Sequence, residues 1–89
     1  MNKIKKEYIK EMIDRWDPID LLPFAPPDEY DPETKKIYAA LNGLDSIDVD
    51  SLGQIIYSVF VKAFGDDVFL KNLDECKDVA EDIIQLAIQ

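Results

Sequence analysis

All five prolines of this chain fall between Pro18 and Pro32, and that confinement limits the fold more than any other feature. Proline lacks a backbone donor and clashes with the preceding helical turn, so this segment is barred from helix interiors and central strands. Two proline-free stretches remain, 1–17 and 33–89, in which apolar residues recur every three or four positions and never alternate for long. That spacing predicts amphipathic helices and no sheet. The expected architecture is an all-α, compact four-helix single domain over 1–89. A proline-rich strap, 17–31, links helices one and two.

The first helix is expected from about Asn2 to Trp16, with Ile4, Tyr8, Ile9, Met12, Ile13 and Trp16 on one face. Asp17-Pro18 stops it, because the residue before proline disfavours the α region. The same pair reads as a new start, with Asp17 as N-cap. Asp31-Pro32-Glu33 repeats that signal and opens the second helix, which carries Ile37, Tyr38 and Leu41; Gly43 fits a left-handed position just past its end. Asp48 caps the third helix, which runs to Phe64 before Gly65. Its apolar stripe, from Leu52 to Phe64 and widened by Tyr57 and Val61, is broad enough to predict the most buried helix. Asn72 and Glu75 have capping-box spacing at the head of the fourth, whose Cys76, Val79, Ala80 and Ile83 face inward.

Ten basic against 19 acidic residues leave a net charge of −9, and there is no histidine. Ser-His and Cys-His nucleophiles are therefore excluded, with every metal site that needs imidazole. The single cysteine, Cys76, cannot form an internal disulfide and reads as a small buried hydrophobe. So acidic a chain is a poor match for nucleic acid or anionic lipid, and no apolar run approaches a membrane span. Glu7 and Lys10 interrupt any apolar stretch behind Lys3, Lys5 and Lys6, which argues against a signal peptide and for a cytoplasmic protein.

The acidity is uneven. Residues 1–16 carry +2, 17–34 hold six acids and no base, 35–62 balance, and 63–89 carry −5. Two clusters result. Asp28, Glu29, Asp31 and Glu33 have the oxygen chemistry of a hard-cation site, but Asp31 and Glu33 are explained more simply as a cap and a charge at the positive end of a helix. No metal is assigned. Nor is the segment from Asp48 an EF-hand, since Leu52 and Val59 occupy positions that need oxygen ligands. Asp74, Asp78 and Asp82 form an i,i+4,i+8 row flanked by Glu75 and Glu81. Like charges at this spacing slightly destabilise a helix. The row reads either as a solubilising face or as a surface complementary to a basic protein.

Asp45-Ser46 and Asp50-Ser51-Leu52 look like the attachment tripeptide of acyl carrier proteins, small acidic four-helix domains with a serine at a helix start. Such a tripeptide also describes many ordinary N-cap regions. A longer likeness covers nearly the whole chain. Trp16-Asp17-Pro18-Ile19, Ala25-Pro26, Asp28-Glu29-Tyr30-Asp31-Pro32-Glu33, Phe64-Gly65 and Cys76 with Ala80 and Ile83 together resemble the YugE-like family of small bacterial domains of unknown function. The resemblance implies an all-helical fold and no catalytic residues. More loosely, the tryptophan and acidic-tyrosine signature resembles some bacterial immunity-type proteins. Asp20-Leu21-Leu22-Pro23-Phe24 departs from the pattern, where a more glycine-rich stretch is expected.

The functional expectation is a protein-binding module without catalytic residues or cofactor. Its specific form is an immunity- or antitoxin-like neutraliser of a basic partner protein, contacted through Asp28, Glu29, Tyr30, Asp74, Asp78 and Asp82. The alternative is an acyl-carrier-like protein modified on Ser51 or Ser46.

Overall fold

The computed structural model describes residues 4–18, 30–44 and 46–88. They form four helices: α1 Lys6–Trp16, α2 Asp31–Asn42, α3 Val49–Phe64 and α4 Leu73–Ile88. The strap expected over 17–31 lies largely outside the described residues. Each helix packs on two others in a ring, α1 on α2, α2 on α3, α3 on α4 and α4 on α1. Across one diagonal, from α1 to α3, the side chain of Trp16 reaches Phe60.

Each inner face is the apolar stripe read at helical spacing. Ile9 and Ile13, Ile37 and Leu41, then Leu52, Ile56 and Phe60 stand i,i+4 apart and are 0% exposed. Burying a side chain of this size stabilises the fold by about 1.5–3 kcal/mol. Phe60 is the hub. Its ring centroid lies 5.3 Å from that of Phe69, 5.8 Å from Tyr30, and 5.9 Å from both Trp16 and Phe64.

Two caps form as the spacing predicts. The Ser51 N–H donates to Asp48 Oδ1 at 2.7 Å, and the Glu75 N–H donates to Asn72 Oδ1 at 2.8 Å. Hydrogen bonds from Ser51, backbone first and side chain second, hold the Asp48 carboxyl below its ordinary value of 3.8. Its support of α3 is therefore complete above that value and is lost as pH falls through the lower, folded one. At the other end of α3, Gly65 takes φ 82° and its N–H closes on Val61 O at 2.8 Å.

Elsewhere tertiary contacts override the local signals. The first helix starts at Lys6, not Asn2. Lys5 is extended, which lets Ile4 at N′ turn inward with Ile9 at N4, as in a hydrophobic staple. Asp17 ends α1 in the left-handed region, φ 45°, and accepts the Tyr30 hydroxyl at 2.5 Å. The new start expected from Asp17-Pro18 falls outside the described residues. Asp31 does not cap α2; it is the first helical residue, and its carboxylate accepts from Lys10 Nζ at 2.8 Å. That lysine also pairs with Asp14 at 3.0 Å, and its pKa is raised, chiefly by the Asp31 bond. Gly43 is not left-handed, at φ −86°. The end of α2 tightens instead into i→i+3 bonds, Gly43 N–H to Ala40 O and Leu44 N–H to Leu41 O, which need no left-handed residue.

Cys76 is fully buried, and its thiol is pushed from 9.0 up to about 12, by burial first and the Glu75 carboxylate second. Because the folded chain keeps this proton longer than the unfolded one, the stability it contributes is complete below pH 9.0 and falls as pH rises toward 12. Cys76→Ala should lack that part of the alkaline loss. At about pH 8, near the ordinary thiol value, a disulfide reagent should label the native thiol far more slowly than the denatured one. Equal rates would contradict the burial.

Candidate interaction surface

The chemistry-bearing residues gather on α4 and its borders. Asp74, Asp78, Glu81 and Asp82 are all exposed, so the predicted acidic row stands in solvent along one helix face. Lys77, the cation within its span, is turned away from it. Its stem crosses α3 over Gly53, where an added Cβ would come within 2.7 Å of Lys77 Cγ, and its Nζ meets Asp50 at 3.2 Å. Glu75 has Lys71 at 3.9 Å. The row thus keeps its charge because the α3–α4 packing removes the neutralising lysine.

Beside the row, α1 and α4 enclose an open groove of about 610 Å³. Met12, Trp16, Val79 and Leu86 supply its apolar lining, and Glu11, Asp82 and Arg15 its charged edge. Asp82 therefore belongs both to the row and to the groove. Helical spacing puts Trp16 on the apolar face of α1. It is half-buried, one edge toward Phe60 and Phe69 and another part lining the groove.

The remaining candidates separate from this face. Tyr30 is 0% exposed, which withdraws it from any contact surface. A phenol ring is too large an apolar body to leave in water when Asp17 can satisfy its hydroxyl inside. Tyr30→Phe should therefore lower stability by about 1.5–3 kcal/mol, the range of a hydrogen bond to a charged group. Urea unfolding measures this, and an unchanged midpoint would mean that the bond contributes nothing. Asp28 and Glu29 lie outside the described residues. Ser46 is exposed ahead of α3, and Ser51 is half-buried in its first turn.

One feature of the surface escaped the pattern reading. Between α3 and α4, Phe69 plugs the aromatic cluster at 2% exposure, while its neighbours Val68 and Leu70 stand 49% and 77% exposed. The signal was present in Val68-Phe69-Leu70, an apolar triplet too short for a helix. Gly65 O accepts from the Val68 and Phe69 N–H groups at 3.4 and 2.9 Å, and that turn carries Phe69 inward while its two neighbours stay in solvent.

With this geometry established, one comparison is decisive: a model of the family described as a domain of unknown function, DUF1871, matches residues 8–88. The chain belongs to the DUF1871 family. No curated protein and no solved structure matches it. The matched region takes in α1 from Tyr8 onward and the whole of α2, α3 and α4 of this DUF1871 domain, including the acidic row and both walls of the groove. Among its described residues no helix is long and apolar enough to cross a membrane.

Proposed function

We propose that this DUF1871 domain is a non-catalytic, cytoplasmic protein-binding module whose α1–α4 face receives a basic partner protein. An immunity- or antitoxin-like neutraliser is the specific form of that role, in keeping with the YugE-like and immunity-type resemblance of the Trp16 signature. The observation that carries the reading is the junction at Asp82, where the acidic row meets a groove lined by Trp16 and Met12. Binding energy concentrates in buried aromatic and apolar anchors, whereas complementary charge mainly accelerates encounter and sets specificity. Here the two stand side by side. Asp74 and Asp78 steer, and the groove accepts an apolar side chain projecting from the basic surface.

The reading makes a divided expectation. Replacing Asp74, Asp78 and Asp82 together with asparagine should slow association and flatten its salt dependence, with a smaller effect on dissociation. Replacing Met12 with alanine should instead speed dissociation. Trp16, the single tryptophan, is an internal reporter. Its emission should shift to the blue when a partner covers the groove, and a bound partner that left it unchanged would place the contact elsewhere.

The carrier alternative draws on the exposure of Ser46 ahead of α3. Intact mass after co-expression with a phosphopantetheinyl transferase separates the two, because the binding module gains no mass.

A further inference from the structure

The stripe on α3 is wider than the bundle can use. Leu52, Ile56 and Phe60 are fully buried, but Ile55 and Val59, one turn apart on the same helix, are only half-buried. They line, with Ala40 of α2, an open groove of about 510 Å³ between α2 and α3. The helix ring sets this groove on the opposite side of the molecule from the α1–α4 groove.

Its charge is also opposite. Lys36 and Lys62 stand at its edges, Gln54 and Ser58 complete the polar border, and among the described residues no carboxylate lines it. In a chain with 19 acids and 10 bases that is a marked departure. Both lysines are exposed, and among the described residues neither is drawn into an ion pair. Solubility does not call for an apolar trough edged by the minority charge.

We infer that the α2–α3 groove is a second docking site, which takes an acidic amphipathic helix of a partner protein. The shape argues for a helix. From Ile55 to Lys62 the groove follows α3 for about 10 Å, two helical turns, and an apolar ridge with i,i+4,i+7 anchors fits a trough between two helices. Charge selects carboxylates for the flanks of that ridge, opposite Lys36 and Lys62. A second copy is the weaker occupant, because the acid-edged face of this chain is itself a groove and two concave surfaces cannot fill each other. The inference does not rest on the α1–α4 reading, since the two sites share no residue.

The test uses the full chain, labelled with ¹⁵N, and a stapled synthetic helix with leucines at i, i+4 and i+7 flanked by glutamates. Amide shifts should cluster on Lys36, Ala40, Ile55, Val59 and Lys62 and spare Met12, Trp16 and Asp82. The double variant Lys36→Glu/Lys62→Glu should weaken binding roughly tenfold or more. A peptide of the same composition with its leucines dispersed should bind much less. Absence of shifts, equal binding of the dispersed peptide, or indifference to the charge reversals would each overturn the inference. Concentration-dependent self-association that the same reversals abolish would assign the groove to a second copy and overturn it too.

Discussion

Phe60→Ala is expected to lower stability by about 3–5 kcal/mol, the cost of deleting a buried phenyl ring when its surroundings only partly collapse. A domain of this size rarely has more than the lower part of the 5–15 kcal/mol range to lose, so the variant should sit close to its unfolding threshold at room temperature. Four rings converge on Phe60 from α1, from the start of α2, from α3 itself and from the α3–α4 link, through Trp16, Tyr30, Phe64 and Phe69. Among the described residues no other ring meets four others. Phe60→Leu keeps most of the volume and should cost much less, on the order of 1 kcal/mol. Urea unfolding followed by near-ultraviolet circular dichroism separates these outcomes. Equal losses for the two variants would show that the ring contacts, not the filled volume, carry the stability.

Gly53 should behave opposite to expectation for a helix interior. At an exposed site, replacing glycine by alanine gains about 1 kcal/mol of helix propensity. Here the new Cβ would lie 2.7 Å from Lys77 Cγ, 3.1 Å from Lys77 Cα and 3.3 Å from its backbone nitrogen. The last two are main-chain atoms of α4 and cannot rotate away. Gly53→Ala should therefore destabilise despite the gain in propensity, and Gly53→Val should cost about 3 kcal/mol, at the upper end for an overpacked contact. Forcing α4 outward would also free Lys77 from Asp50 and bring its ammonium nearer the acidic row. A variant that folds but has lost this registry should bind a basic partner more slowly. Unchanged thermal stability in Gly53→Ala would show that the helices do not meet as closely as described.

What could be read from sequence divides along the range of the interaction. The Asp48 and Asn72 caps are three-residue events and form as their spacing predicts. The exposure of Asp74, Asp78 and Asp82 follows from the periodicity of a single helix. Asp31 reads as a cap for the same local reasons, but Lys10, 21 residues back, claims its carboxylate. Asp17 accepts from Tyr30, 13 residues on. No local rule foresees those partners. The breadth of the α3 stripe was legible, but its meaning was not. A wide stripe predicts a buried helix only when neighbours cover all of it, and here part of it faces an open groove. The same holds for Trp16, whose helical face is legible and whose depth depends on how far α1 stands from α4.

The central claim is that the α1–α4 face takes a basic protein through paired charge and apolar contacts. Its most direct test is affinity capture from an extract of the cells that make the chain, with the wild type beside the Asp74→Asn/Asp78→Asn/Asp82→Asn variant. Each column is washed at low and then high salt. One basic protein should be held by the wild type at low salt, shed at high salt and held weakly or not at all by the variant. Identical captures by the two, or a wild-type column that retains no basic protein at low salt, would contradict it.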